Sequence, residues 1–199
     1  MKKMFVIANW MQGVSLSGGD RIFIELSKRL ATHLDITFFV SSDGWRICQR
    51  ESLKDFNHHI WSSDKFNKCG YFFNYMYRTL KGISGALNIS AKDMDIVYSS
   101  SDFWPDAIPG LLFKLRHKKI KWVAGFYLFA PKPWQKDSPY KGRQWLTGFF
   151  YWLTQKPIYW VVHKYADFIF LTSASDVNKF VKKHGDEERI VGVRGGVDI

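Results

Sequence analysis

The sequence predicts an α/β protein built on an open, largely parallel, doubly wound sheet with helices on both faces. Three observations carry that expectation. Short apolar runs of strand length alternate with amphipathic helical stretches along the whole chain. Polar turns containing glycine or serine follow the strands. The 199 residues, 46% hydrophobic and 24% charged, suffice for one sizeable core and are short for two. Right-handed crossovers then gather the turns after the strands along one edge, and ligands bind there where the strand order reverses.

Residues 4–10 (MFVIANW) read as a buried strand, followed by a turn with Gly13, Ser15, Ser17, Gly18 and Gly19. Phe23, Leu26, Leu30 and Leu34 then recur at helical spacing, with Arg21, Glu25, Lys28 and Arg29 turned the other way. Asp20 stands where an N-cap is expected. Strand, glycine turn and helix together make a place for an anion. N–H groups at the helix start point outward, the helix dipole adds partial positive charge, and glycines let the backbone approach a phosphate. Gly18-Gly19 is neither the G-x-G-x-x-G fingerprint nor part of a P-loop. Alone, the pair serves equally well as a tight turn.

Residues 35–42 form the second strand, closed by a turn at Asp43-Gly44 in which Asp43 reads as a surface residue. His59-Ile60-Trp61 suggests a short strand; His58 and His59, being adjacent, face opposite ways along it and do not share a metal. A helical pattern over 64–87 is loosened at its end by Gly82, Gly85 and Asn88. A strand at 95–98 leads through SSSDFWPD to a helix over 107–117, bracketed at its start by Pro105 and Pro109. Lys118, Lys119 and Lys121, around the strand at 120–124, suit a solvated helix C-terminus better than a phosphate site. The region 126–165 is rich in proline and then intensely aromatic, broken by Pro157. It reads first as a core helix with a lid loop. The second reading is a membrane-facing rim, because Trp and Tyr mixed with Lys and Arg suit a water–lipid boundary. A strand at 168–171, a turn in which Ser173 and Asp176 have capping-box spacing, a helix ending at Gly185 and a strand at 190–193 complete the alternation.

A formal net charge of +11 points to a negatively charged partner: a phosphorylated small molecule, an anionic membrane surface or nucleic acid. No RNP, KH or zinc-finger pattern supports nucleic acid. Cys48 and Cys69 lack metal-ligand spacing and fit a reducing compartment. No apolar run reaches the roughly 18 residues of a membrane span, and the first residues lack the pattern of a signal peptide. The expectation is a cytoplasmic protein able to sit peripherally at the inner face of the cell membrane.

Taken in order, SGGDRIFIELSKRLATHLDITFFV, DIVYSSSDFWPDAIPGLLFK and DFIFLTSASDVNKFVKKHGDEERIVGVRGGVD resemble the N-terminal domain of GT-B glycosyltransferases of the group 1, or family 4, type. The resemblance implies a single Rossmann-like domain over 1–199, one half of a GT-B fold. It implies the acceptor-binding part of a retaining transferase of hexosyltransferase type. Such an enzyme moves a sugar from a nucleotide-diphosphate donor to a glycan or lipid-linked acceptor, as in cell-surface polysaccharide biosynthesis. The donor is a substrate, and neither a cofactor nor a metal is expected. The family's C-terminal domain holds most of the donor. This sequence stops where the linker to it would begin, so the expectation is a fragment that is inactive alone.

On matching positions, the resemblance implies substrate contacts from Gly18, Gly19 and Asp20 in the glycine loop. It implies further contacts from Ser100 and Ser101 after the middle strand, from Tyr127, and from Ser173 at the rear of the cleft. No catalytic residue is identified. Phe126-Tyr127 stands where the family often places a histidine, and His33, His163 and His184 read as structural or solvated. Arg194-Gly195 replaces the common Pro-Asn before Gly-Val-Asp. The reading from another class is a stand-alone nucleotide- or anion-binding module without catalysis.

Overall fold

Successive residues of the first strand, β1 (Lys2–Ala8), face opposite ways: Met4, Val6 and Ala8 enter one core, Phe5 and Ile7 another. A strand apolar on both sides has to be covered on both sides. The computed structural model, which describes residues 1–13, 16–63, 70–181 and 186–193, shows how this is done. The further strands are β2 (Leu34–Ser41), β3 (Asn57–Trp61), β4 (Ile96–Ser99), β5 (Lys121–Gly125), β6 (Phe168–Leu171) and β7 (Ile190–Gly192). They form one sheet in the order β3-β2-β1-β4-β5-β6-β7, and every neighbouring pair is parallel. The Rossmann-like, doubly wound expectation is thereby met.

Helices α1 (Gly18–Leu30) and α2 (Ser42–Arg50) cover the face of Met4 and Val6, through Phe23, Ile24, Trp45 and Ile47. On the other face lie α3 (Tyr71–Asn88), α4 (Trp104–Arg116), α5 (Trp145–Tyr165) and the single turn α6 (Val177–Phe180). They bury Ala86, Phe113, Ile158, Val162 and Phe180 against Phe5, Ile7 and Trp122. The adjacent histidines of β3 divide as alternation requires, His58 stacking on Trp45 and His59 approaching Phe5.

Several elements differ from the sequence reading. The N-cap of α1 is Ser17; Asp20 is the third helical residue and completes a capping box with it. Asp43-Gly44 does not close a turn but opens α2, whose N-cap Ser41 accepts a hydrogen bond from the Gly44 N–H at 3.1 Å. Helix α4 begins at Trp104, so Pro105 occupies its first turn, where no N–H is needed. Gly82 and Gly85 do not loosen α3. They let it approach its neighbours: a Cβ at Gly85 would stand 2.1 Å from the Phe39 ring, and one at Gly82 2.8 Å from the Pro105 carbonyl oxygen. Pro157 lies within α5 without ending it. The carbonyl that forfeits its N–H partner belongs to exposed Leu153, where water can replace the lost bond. Ser173 caps nothing. Its hydroxyl pairs with Ser175 Oγ at 2.8 Å, ahead of a 3-10 turn at Ala174–Asp176. Ser15, Cys69, His184, Gly185 and residues 194–199 lie outside the described residues.

Candidate functional site

From β1 the chain winds to β2 on one side, and from β4 to β5 on the other, so a crevice opens beyond the C-terminal ends of these two central strands. A cleft of about 380 Å³ lies there. The loop after β1 lines it with Trp10, the start of α1 with Gly19 and Asp20, and the turn after β4 with residues 100–103. Tyr127 after β5 and Tyr151 of α5 close the remaining sides.

The start of α1 carries its own negative charge. Asp20 Oδ2 accepts hydrogen bonds from the Ser17 N–H at 2.9 Å and from the Ser17 hydroxyl at 2.7 Å. Burial pushes the Asp20 carboxyl above the ordinary carboxylate range, and the two bonds from Ser17 oppose the rise. Gly19 lies against the ring of Tyr127, whose hydroxyl is hydrogen-bonded to that of Tyr98. Burial raises both phenols, so both stay protonated at neutral pH. Thr172 Oγ1 donates to the Tyr127 carbonyl, tying the loop after β5 to the end of β6.

Two further carboxyls come from the turn after β4 and the start of α4. Asp106 is enclosed: its Oδ1 accepts the N–H groups of Asn9 (2.6 Å) and Trp10 (3.0 Å), and its Oδ2 the hydroxyls of Ser101 and Ser100. This one side chain clamps the ends of β1 and β4 together. Burial moves its carboxyl up to about 7, against the pull of those donors. Asp102 Oδ2 accepts from Gln155 Nε2 at 2.7 Å and from the Tyr151 hydroxyl at 3.4 Å, and burial moves it to about 6. Asp102 borders the cleft with its carboxyl held in place by Gln155 and Tyr151.

Below the rim, fully buried Arg78 of α3 joins the loop after β1, the end of β2 and the start of α2. Its guanidinium donates to the Asn9 carbonyl at 2.8 Å, to Ser41 Oγ at 3.0 Å and to Asp43 Oδ2 at 2.9 Å. Asp43 is therefore the counter-ion of a buried cation and not a free surface residue. Burial lowers the Arg78 pKa, and Asp43 opposes that. Asn9 is itself fixed by Trp61, whose Nε1–H donates to its Oδ1 at 2.7 Å.

Of the residues the sequence singled out, the structure brings Gly19, Asp20, Ser100, Ser101 and Tyr127 to this cleft. Gly18 is adjacent but exposed, and Ser173, at the end of β6, does not line it. The sequence reading missed Trp10, Asp102, Tyr151, Gln155, the Asp106 clamp and Arg78. The acidic residues flanking Phe103-Trp104-Pro105 are the signal that pointed to two of them. Among the described residues no Lys or Arg lines the cleft, despite the overall charge of +11. No group of three or more His, Cys, Asp or Glu suited to a metal ion occurs among the described residues.

No protein-family model matches the sequence, and no curated protein matches it either. Solved structures do match in shape. HepE of Anabaena in complex with UDP-glucose is 11% identical with a TM-score of 0.54; the match covers 100% of this chain and 45% of that one. MnaA of S. aureus with UDP is 13% identical, TM-score 0.58, over 96% of this chain and 43% of that one. A putative UDP-N-acetylglucosamine 2-epimerase from Listeria monocytogenes is 14% identical, TM-score 0.55, over 96% and 44%. At these identities the likeness shows the fold. This chain spans less than half the length of each of these proteins.

Proposed function

We propose that the chain is the acceptor-side half of a retaining GT-B glycosyltransferase of the group 1 type. It would take part in moving a hexosyl group from a nucleotide-diphosphate sugar to a glycan or lipid-linked acceptor. The observation that carries this reading is the crevice at the strand reversal. There the start of α1, the turn after β4 and Tyr127 border a space in which carboxyls and hydroxyls alternate with the apolar side chains of Trp10, Met11, Leu16, Phe103 and Leu128. Such a lining accepts hydrogen bonds from a polyhydroxylated ligand. Any phosphate reaching it meets the Gly18 and Gly19 N–H groups, those of Ser17 and Asp20 being engaged in the capping box, in place of point cations.

In this reading the N–H groups about Gly19 steady the charge that grows on the leaving diphosphate. Asp102, held by Gln155 and Tyr151, orients an acceptor hydroxyl. A second half of comparable size, outside these 199 residues, would hold most of the donor. The fold neighbours support the ligand class, since HepE is seen with UDP-glucose and MnaA with UDP. A second reading, isomerisation of a nucleotide sugar, draws on the likeness to the putative Listeria epimerase.

Titration of UDP-glucose into the 15N-labelled chain tests the shared premise. Amide shifts are expected at Gly19, Ser101 and Tyr127 and are lost in Gly19→Val; shifts elsewhere only would refute the site. With the complete enzyme, transfer of labelled sugar to an extracted acceptor supports the transferase reading. A changed sugar isomer without transfer supports the second.

A further inference from the structure

Helix α5 is apolar nearly all the way round, yet only one of its sides is covered. Gly148, Thr154, Gln155, Ile158 and Val162 face the sheet and the crevice. At about 100° per residue, Trp145, Phe149, Trp152, Lys156, Trp160 and Lys164 fall in a single stripe about 120° wide on the opposite side. Trp160 is 59% exposed, and Leu146 and Leu153 at the edge of the stripe are 70% and 48% exposed. The stripe is ordered within itself. Trp145 stacks on Phe149 with ring centroids 5.3 Å apart, Lys156 Nζ lies 3.5 Å over Trp152, and Lys164 Nζ lies 4.9 Å over Trp160. The loop before the helix adds Trp134, 55% exposed, with its ring 4.7 Å from that of Trp152.

We propose that this outward face of α5, with Trp134 beside it, docks the protein on an anionic lipid bilayer. Charge complementarity selects that occupant. Between positions 131 and 165 the chain carries Lys132, Lys136, Lys141, Arg143, Lys156 and Lys164 against Asp137 as its sole acid. Indole rings with cations set over them match the boundary between headgroups and acyl chains, where apolar bodies sink and charged tips meet phosphates. A soluble protein partner would have to cover these rings while also matching the cations set over Trp152 and Trp160. Among the described residues no helix is long and apolar enough to cross a membrane, so α5 lies in the interface plane over a length of about 30 Å.

The same helix presents Tyr151 and Gln155 to Asp102 from its other side. Docking therefore sets one wall of the crevice within a helix diameter of the lipid headgroups. This orientation rests on the proposed function; the docking itself does not.

The test is sedimentation of the 199-residue chain with vesicles of phosphatidylcholine alone or mixed with phosphatidylglycerol. Expected are association with the mixed vesicles that weakens as salt rises, and a blue shift of tryptophan emission. The Lys156→Glu/Lys164→Glu variant should bind about tenfold less or weaker still, because each cation near an anionic surface matters several-fold. Trp134→Ala/Trp160→Ala should bind more weakly and show a smaller blue shift, Trp145 and Trp152 remaining in the stripe. Circular dichroism melting shows that the variants remain folded. No association with mixed vesicles at low salt overturns the proposal, as does binding that both variants retain. A dimer in solution that the lysine variant disperses also overturns it, since a second copy would then cover the face. Failure of the vesicle test leaves the amide shifts with UDP-glucose untouched, so the two proposals fail separately.

Discussion

Gly19 and Tyr127 meet with no room for a side chain between them: a Cβ at Gly19 would stand 3.0 Å from Cδ2 and 3.2 Å from Cε2 of the ring. The ring has little freedom to yield. Its hydroxyl is bonded to that of Tyr98, and a Cβ at Gly125 on another side would come within 2.8 Å of the same oxygen. The head of α1 is thus fixed against the loop after β5 by the absence of one methyl group.

Gly19→Val consequently displaces either Tyr127 or the first turn of α1. Overpacking of this kind costs about 1–3 kcal/mol. Urea unfolding is expected to show that loss; under the proposed function, nucleotide-sugar binding falls more steeply than stability does. Gly19→Ala, whose single methyl asks the ring to give by a few tenths of an ångström, should lose part of both and less than the valine variant.

Arg78→Met leaves Asp43 without its buried counter-ion and the Asn9 carbonyl without a donor. Breaking a buried pair from one side costs roughly 3–5 kcal/mol, an upper bound here because Asp43 keeps Arg46 at 3.3 Å. Arg78→Lys should recover only part of this, because an ammonium does not span acceptors on the loop after β1, on β2 and on α2. The midpoints of chemical unfolding for the two variants measure it; a midpoint for Arg78→Met equal to the parent would contradict the role assigned here.

Asp102 and Asp106 make stability depend on pH in an unusual sense. Their folded values, about 6 and about 7, lie above the ordinary 3.8. Between about pH 4 and those values the folded protein holds protons that the unfolded chain releases. Unfolding free energy therefore falls as pH rises through this window and levels off above it. Asp102→Asn keeps an oxygen for Gln155 and Tyr151 and removes the ionisation. Its unfolding free energy should decline less between pH 4.5 and 7, by on the order of 2 kcal/mol. Parallel slopes for parent and variant would show that Asp102 titrates normally.

Gly110→Ala tests the packing of α4. In an open helix this change gains about 1 kcal/mol. Here the new Cβ would stand 2.1 Å from Ser99 Oγ and 2.6 Å from Trp122 Nε1, two atoms that are hydrogen-bonded to each other at 3.0 Å. A net loss of about 1–3 kcal/mol in urea unfolding is expected.

The sheet was legible because its central strands are short unbroken apolar runs, whereas helices such as α1 show apolar residues on one side only. Helix α1 and the glycine turn were legible for the same local reason. What escaped was determined by distance along the chain. Arg78 sits in a helical pattern like any surface arginine; nothing nearby shows that its partners are a carbonyl at Asn9 and side chains at Ser41 and Asp43. Asp43 was misplaced for the complementary reason. Ser173 shows the opposite error, in which a correct capping spacing was overruled because its hydroxyl found Ser175 first. Helix α5 had too uniform a composition to show which side was covered, and only the packing of Gln155 against Asp102 settles that.

The central place of β1 also bears on how the protein is made. Met4 pairs with Ile36 on one side and with Ile96 on the other. At translation rates of about 5–20 residues per second, the second edge of β1 waits roughly 5–20 seconds for its neighbour. During that interval an apolar ribbon stands open to any other nascent chain. Slow growth at low temperature and abundant holdase should therefore raise the soluble yield more than any change to the finished surface.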